Sequence, residues 1–166
     1  NEPNGTSWSE VKRYADEVIP VIRANDADAI IIVGTPTWTQ DVELVASNPL
    51  KQENRHNVMY AAHFYAATHG DNIRNKIHQA ISDGTPVFIS EFSICDASGN
   101  GAIDYNSAEQ WKTLIKEYNL SYAGWNLGNK NESSALIKAG VDKVYGWSDS
   151  EISDTGKWLR NLIQGK

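Results

Sequence analysis

The chain has 166 residues, of which 40% are hydrophobic and 22% charged, a composition typical of one compact globular domain. Its formal net charge of −6 argues against nucleic acid or an anionic membrane as a partner, because both attract basic surfaces. Cys95 is the only cysteine, which excludes an internal disulfide, and no apolar run approaches the ~20 residues that a membrane-spanning helix needs.

The first predicted elements are a helix and a strand. Residues 9–24 predict the helix, with Ser7 or Ser9 as its N-cap and Pro20 expected to kink or shorten it. Its apolar positions recur at the spacing of one helix face: Val11, Tyr14, Ala15, Val18 and Ile22. The run AIIIVGTP that follows is β-branched, continuously apolar and closed by Gly and Pro. This pattern predicts a strand buried on both faces.

Strands and helices go on alternating to the end of the chain. Three more strands are predicted, at 57–66, 85–92 and 120–128, and three more helices, at 71–84, 106–118 and 153–163. The helix positions expected to be buried are Ile73, Ile77 and Ile81, then Trp111, Leu114, Ile115 and Tyr118, and finally Trp158, Leu159, Leu162 and Ile163.

This alternation predicts parallel β/α units joined by right-handed crossovers, an α/β fold. Four units leave two architectures open, namely half of an eight-fold β/α barrel and a small doubly wound sheet. In a β/α barrel the active site gathers at the carboxyl ends of the strands. Functional residues are therefore expected at those ends.

Every predicted strand ends in aromatic or ionisable side chains. The first delivers Trp38, and the second delivers His63 and Tyr65, which share a face because they are two residues apart. The third delivers Glu91, a carboxylate that would be costly to bury without partners. The fourth strand and its loop supply Trp125, Lys130 and Glu132. A single tryptophan is more often a packing residue than a sugar platform, but four such strand ends together favour a binding site.

The opening pentapeptide NEPNG is a turn on its own, because Pro restricts one dihedral while Asn and Gly tolerate left-handed conformations. Glu2 within it gains a chemical meaning beside Glu91. Glycoside hydrolysis with retention uses two carboxyl groups about 5–5.5 Å apart, one as acid/base and one as nucleophile. Residues far apart in sequence can meet that separation at the mouth of a barrel.

Four motifs in order, NEPNG, HFYAATHG, ISEFS and AGWNLGNKNESSA, closely resemble the second half of family 5 glycoside hydrolases, and in particular the bacterial cellulase (endo-β-1,4-glucanase) branch. The resemblance runs over essentially the whole chain. It implies parallel β/α units forming about half of a TIM (β/α)8 barrel, with four strands visible and the N-terminal half absent. Residues 1–166 would then be a single, truncated catalytic domain of a secreted enzyme.

The same resemblance implies roles for the catalytic residues. Glu2 would be the general acid/base and Glu91 the nucleophile, in a reaction that needs no metal and no cofactor. Asn1 would bind the sugar 2-hydroxyl near the nucleophile. His63 and Tyr65 would hold the catalytic carboxylates and the substrate, with Tyr65 close to Glu91.

The resemblance also implies how a β-glucan substrate would be held. Trp125 would be the stacking floor of the −1 side, and Trp38 a platform on the leaving-group side. More distant glucose units would be contacted by Ala97, Lys130 and Glu132.

Metal sites are not expected from the sequence. The segment DASGNG (96–101) imitates the start of a calcium loop, but its twelfth position is Ser107 rather than Glu. A polar loop lining a sugar groove is the simpler interpretation. The four histidines show no zinc-site spacing with Cys or carboxylates.

Unpaired outer strands and an uncovered barrel interior predict association, either as a homodimer or with a separate N-terminal half-barrel. Three functions remain open. The chain could be a β-1,4-glucan hydrolase, with activity extending to mixed-linkage glucan or mannan. It could instead be a non-catalytic glucan-binding module, or an inactive half-barrel fragment that binds its missing half better than any sugar.

Overall fold

The structure, a computed structural model, describes residues 1–165 and has four strands and four long helices. One long helix precedes the first strand and one follows each of the other three, while residues 34–57, between the first two strands, contain only short helical turns. The strands are β1 (Ile31–Val33), β2 (Val58–Tyr65), β3 (Val87–Ser93) and β4 (Ser121–Gly124). The helices are α1 (Trp8–Arg23), α2 (Asp71–Ser82), α3 (Tyr105–Glu117) and α4 (Asp154–Ile163). The strands form one parallel sheet in the order β1-β2-β3-β4, which confirms the predicted α/β fold.

Packing divides the chain into two compact units. The first comprises Asn1–His63 and Asp71–Ser90, and the second comprises Phe64–Gly70 and the residues from Glu91 onward. Within residues 1–165, no helix combines the length and the apolar character needed to cross a bilayer.

Helix α1 begins where its capping residue predicts. The Ser7 hydroxyl accepts a hydrogen bond from the Glu10 amide, while the Glu10 carboxylate accepts one from the Ser7 amide at 2.9 Å, a complete capping box. The expectation that Pro20 shortens the helix is wrong, because the helix continues to Arg23. Tertiary contacts anchor this last turn, since the Arg23 guanidinium donates to the carbonyls of Ala29 at 2.7 Å and His56 at 2.6 Å.

Strand β1 is less buried than its sequence predicts. It pairs with β2 in parallel, from Ile31 opposite Val58 to Val33 opposite Tyr60, and it occupies the edge of the sheet. Ile32 is 39% exposed. Burial on both faces is therefore wrong for β1, because the face of the sheet that carries Ile32 remains open to solvent.

An apolar groove of about 370 Å³ lies in the first unit, beside α1 and β1. Tyr14, expected to be buried, is 67% exposed in its wall. The groove lining is mostly aliphatic and includes Val11, Val18, Ile22, Ile31 and Ile32.

Aromatic side chains form the core of the second unit. The Phe64 and Trp111 rings are stacked, with centroids 3.7 Å apart and planes inclined by 3°, and Phe92 stacks on Phe64 at 5.0 Å. Trp158 from α4 meets Phe92 edge-on at 6.2 Å. The expected burial of Ile163 is wrong, because this last residue of α4 lies past the packed face and is 66% exposed.

Candidate active site

In the first unit, Glu2 and His63 form a hydrogen-bonded pair. Nδ1 of His63 lies 2.8 Å from Oε1 of Glu2, and Nε2 lies 2.8 Å from Oγ of Ser90. The imidazole is buried, with 2% of its side-chain surface exposed, whereas the Glu2 carboxylate retains 30%. Both ring nitrogens of His63 are thus engaged, and the carboxylate that they orient still reaches solvent.

The hydrogen bonds of His63 involve both of its ring nitrogens. An ionised carboxylate only accepts, so Nδ1 donates to Glu2 whenever Glu2 is ionised, while the opposite nitrogen faces the Ser90 hydroxyl. The triplet therefore holds the ring at both ends, and the ring in turn orients the Glu2 carboxylate.

Trp38 lies in a left-handed turn at the exit of β1. The values of φ at Thr37, Trp38 and Thr39 are 56°, 52° and 62°, and the indole of Trp38 is 50% exposed. The backbone carbonyl of Asn1 accepts a hydrogen bond from the Thr39 hydroxyl at 2.9 Å. The turn thus presents a large aromatic face to solvent and holds the segment that carries Glu2.

In the second unit, Tyr65 and Glu91 form a second pair. The Tyr65 hydroxyl donates to Oε1 of Glu91 at 2.9 Å, and each residue is only 9% exposed. A buried carboxylate needs hydrogen-bond donors, and a donor to the charged form stabilises it. Tyr65 therefore supplies a partner that the sequence of β3 indicated Glu91 would need.

Trp125 follows β4 and is 44% exposed. Its amide donates to the Phe92 carbonyl at 2.7 Å, and a cis peptide bond joins it to Asn126. The Asn126 side-chain amide donates to Oε1 of Glu132 at 3.2 Å, which connects the aromatic platform to the loop carboxylate. Lys130 in the same loop is exposed.

The loop that contains Ala97 is held by side chains from two segments of the second unit. The Ala97 amide donates to the Thr68 hydroxyl at 2.9 Å, and that hydroxyl donates to Oδ2 of Asp96 at 3.0 Å. Hydrogen bonds from the Ser98 amide and hydroxyl and from Thr68 hold the pKa of Asp96 below its usual range. Both Asp96 oxygens thus accept hydrogen bonds from within the protein.

The family model for cellulase (glycosyl hydrolase family 5) matches residues 1–131. The chain belongs to glycosyl hydrolase family 5.

Relatives of this family 5 chain include endoglucanase A of Evansella cellulosilytica, which is 47% identical over 99% of the chain and 34% of its own length. Endoglucanase A of Butyrivibrio fibrisolvens is 47% identical over 98% of the chain and 37% of its own length. The catalytic domain of Thermobifida fusca endoglucanase Cel5A, solved with cellotetraose, matches at a TM-score of 0.91 and 39% identity, over 99% of this chain and 55% of that one.

The family 5 chain therefore spans about a third of the curated relatives that it matches and about half of the solved catalytic domain. This coverage, together with the four parallel strands, confirms the prediction of about half of a TIM barrel.

Sequence reasoning missed three residues that bind the candidate residues or their segments: Ser90 and Thr39 in the first unit and Thr68 in the second. Ser90 interrupts the apolar run of β3, a signal that could have identified a polar partner for a neighbouring strand. Thr39 and Thr68 gave no comparable signal, because their hydroxyls bind carbonyl, amide and carboxylate groups brought in from other segments.

Proposed function

We propose that the chain is part of a retaining glycoside hydrolase that cleaves internal β-1,4-glucosidic bonds of cellulose or related β-glucans. Glu91 would be the nucleophile and Glu2 the general acid/base. The observation that carries this proposal is the buried Glu91 carboxylate in β3, accepting a hydrogen bond from Tyr65. Burial of a charged carboxylate is costly even when one donor partly compensates, so its position in a buried strand favours chemistry over packing.

The reaction would proceed in two steps. Glu91 attacks the anomeric carbon and forms a glycosyl ester, while Glu2 transfers its proton to the departing glycosidic oxygen. Glu2, now a carboxylate, then accepts a proton from water as the water oxygen displaces Glu91. The proposal requires about 5–5.5 Å between the two carboxyl groups, the separation that retention needs.

The two half-exposed tryptophans support a glucan as the substrate. Flat sugar faces stack on aromatic rings, and Trp38 and Trp125 offer such rings at 50% and 44% exposure. Trp125 would support the −1 glucose and Trp38 the leaving-group side, with Asn1 binding the 2-hydroxyl. More distant glucose units would meet Ala97, Lys130 and Glu132. The relatives' names, endoglucanases and a domain solved with cellotetraose, favour this substrate class.

We also propose that activity requires association with an N-terminal half-barrel. The aliphatic groove beside α1 and β1 measures about 370 Å³, and apolar surface of this kind favours a partner. The matched solved domain is almost twice as long as this chain, so a complementary half of similar size is the fitting occupant. A second copy of the chain is the competing occupant. Secretion is proposed as well, because a polymeric glucan is met outside the cell.

The test measures reducing-sugar release from carboxymethyl cellulose by the purified chain, alone and mixed with the N-terminal half of a related family 5 enzyme. Release should vanish in Glu91→Gln and Glu2→Gln but persist in Glu117→Gln, which removes an exposed carboxylate from α3. Light scattering on the same samples identifies a homodimer as a doubled mass of the chain alone, and a complemented barrel as a rise in mass that requires the N-terminal half.

Absence of release from the wild-type chain in both forms would overturn the hydrolase proposal. Electrophoresis through a β-glucan gel would then test the binding-module alternative. Retardation that depends on Trp125 and is indifferent to Glu91→Gln would identify a binding module, and unretarded migration would identify an inactive fragment.

A further inference from the structure

Three successive residues at the exit of β1 adopt left-handed backbone conformations without a glycine among them: Thr37, Trp38 and Thr39. Positive φ is rare outside glycine, asparagine and aspartate, and for a β-branched residue it is a genuine outlier. Such conformations persist only where the surroundings impose them, and they cluster at functional sites. The contacts of this turn indicate which site it serves.

The turn holds the backbone carbonyls of the residues before and after Glu2. The Thr39 hydroxyl donates to the carbonyl of Asn1 at 2.9 Å, and the Trp38 amide donates to the carbonyl of Pro3 at 3.0 Å. Thr39 is fully buried. Two carbonyls that flank one residue are thus pinned by one turn, which restricts where the backbone of Glu2 can move.

Gly34 lets this segment approach the exit of β1. A Cβ at Gly34 would lie 3.0 Å from both the Asn1 carbonyl oxygen and Cδ of Pro3, and 3.3 Å from the Thr39 hydroxyl. The backbone of Glu2's neighbours therefore lies directly against the strand exit. Any side chain at position 34 would displace the segment.

The same strand anchors the backbone and the side chain of Glu2. The Thr35 hydroxyl donates to the Ala61 carbonyl of β2 at 3.3 Å, which attaches the turn to that strand. His63, two residues further along β2, binds the Glu2 carboxylate at 2.8 Å. Backbone and carboxylate are consequently held from one rigid element, as a group that transfers a proton requires.

We propose that Thr39 is a positioning residue for Glu2: its hydroxyl fixes the Asn1 carbonyl so that the carboxyl group is aimed at the oxygen of the leaving group. This inference rests on the proposed function. Trp38 links this backbone anchor to the substrate. Its amide donates to the Pro3 carbonyl, while its exposed ring is the proposed platform for the leaving-group sugar.

Leaving-group dependence separates positioning from simple stability. A dinitrophenyl glycoside departs without protonation, whereas a phenyl glycoside needs the acid. Thr39→Val removes the donor at nearly constant shape, and Thr39→Ser retains it. In the form that hydrolyses glucan, Thr39→Val should lower kcat/KM on phenyl cellobioside by about tenfold or more, a part of the 10²–10⁴ that general acid catalysis supplies. Its kcat/KM on dinitrophenyl cellobioside, which reports only formation of the glycosyl ester, should change by less than about twofold, and Thr39→Ser should resemble wild type on both.

Thr155→Val is the matched control, because its buried hydroxyl also donates to a backbone carbonyl, that of Ser133, in the second unit. It should leave the ratio of the two activities unchanged. Equal losses on both substrates in Thr39→Val would overturn the proposal, as would no loss on either. If Thr39→Val does not fold, the smaller Thr39→Ala replaces it. Failure of both to fold would assign Thr39 a structural role and overturn the proposal.

A second readout does not depend on activity. The Nδ1 proton of His63, bonded to Glu2, should give a slowly exchanging downfield resonance in wild type and Thr39→Ser. It should be lost in Thr39→Val and in Glu2→Ala, the reference without an acceptor. An unchanged resonance in Thr39→Val overturns the positioning role. Suppose that Thr39→Val loses the resonance but that wild type hydrolyses neither glycoside. The proposed function would then be overturned, while the inference that Thr39 positions Glu2 would stand.

Discussion

Removing the carboxylate of Asp16 should be among the most destabilising single changes in the first unit. Oδ1 of Asp16 accepts from the Lys51 amide at 3.0 Å and from Nδ2 of Asn54 at 2.9 Å, and Oδ2 accepts from Nζ of Lys12 at 2.9 Å. Only 5% of the Asp16 side chain is exposed. One buried group on α1 thus satisfies donors from three positions, including the segment that follows β1.

The expected magnitude follows from what each substitution leaves unpaired. Asp16→Ala leaves the Lys51 amide and one Asn54 side-chain hydrogen without an acceptor, at ~1–3 kcal/mol each. The free energy of unfolding should therefore fall by about 3 kcal/mol or more. Asp16→Asn retains an acceptor oxygen for both donors and loses mainly the Lys12 ion pair. Its cost should be nearer ~1 kcal/mol, because that ammonium is partly solvated.

The pH dependence of this stabilisation has a definite sign. Burial raises the pKa of Asp16, but the hydrogen bonds from Asn54, Lys12 and Lys51 outweigh it, so the pKa in the folded chain lies below its usual value. The folded state therefore binds the proton less tightly than the unfolded state. The advantage of Asp16 over Asn should be complete above about pH 4, near the unfolded pKa, and should disappear as the pH falls through the folded value.

Urea unfolding followed by tryptophan fluorescence at pH 7 and pH 3 measures these differences. Glu17→Gln, an exposed carboxylate on the same helix, is the matched control and should change stability by less than about 0.5 kcal/mol. Two results would refute the reasoning. One is equal destabilisation by Asp16→Asn and Asp16→Ala, and the other is a deficit of Asp16→Asn that stays constant on acidification.

Three further substitutions test the site and the two cores. Tyr65→Phe removes a hydrogen-bond donor to buried Glu91. A hydrogen bond to a charged group contributes ~1.5–3 kcal/mol, so kcat/KM on soluble glucan should fall about 10-fold to 150-fold. A loss below about twofold would contradict this prediction. Burial raises the pKa of Glu43, and its Oε2 atom has no hydrogen-bond partner among the described residues. Because the charged form is therefore unfavourable in the folded chain, Glu43→Gln should raise Tm at pH 7, and the gain should shrink toward about pH 4 as Glu43 is protonated. A lower Tm at pH 7 would contradict the prediction. Trp111→Phe removes the hydrogen bond from the indole to the His69 carbonyl and leaves a gap among the buried aromatic rings. The free energy of unfolding, measured with urea, should fall by about 2–4 kcal/mol. A decrease below about 1 kcal/mol would contradict the prediction.

The order and approximate bounds of the elements could be read from the sequence. Residues 9–24 and 153–163 were predicted helices, and the structure has them at Trp8–Arg23 and Asp154–Ile163. Helix periodicity and capping are local properties, since they depend on side chains within a few residues of one another. The Ser7 capping box is one such case, because Glu10 lies three residues away.

Burial was less predictable than secondary structure. Tyr14, Ile32 and Ile163 occupy apolar positions in periodic or continuous patterns, yet each is exposed. An apolar pattern indicates which face of a helix or strand is suited to burial. Whether another element packs against that face depends on contacts between segments that are distant in sequence.

The candidate site divides in the same way. The ordered motifs placed Glu2, His63, Tyr65 and Glu91 among the candidates. Their residue types can be read from the chain, and the last three also lie at the ends of predicted strands. The family resemblance implied that His63 and Tyr65 hold the two carboxylates, with Tyr65 close to Glu91. The structure adds which atoms pair and that His63 is the partner of Glu2.

The turn at Thr39 could not be predicted from the sequence, because three successive left-handed residues without a glycine contradict local propensity. Contacts with Asn1 and Pro3, which are distant in sequence, hold this conformation. By itself, the sequence determined which chemical groups are present and which of them share a strand or a helix face. Only the tertiary structure decided which donor meets which acceptor, because those partners lie tens of residues apart and folding alone brings them within hydrogen-bond distance.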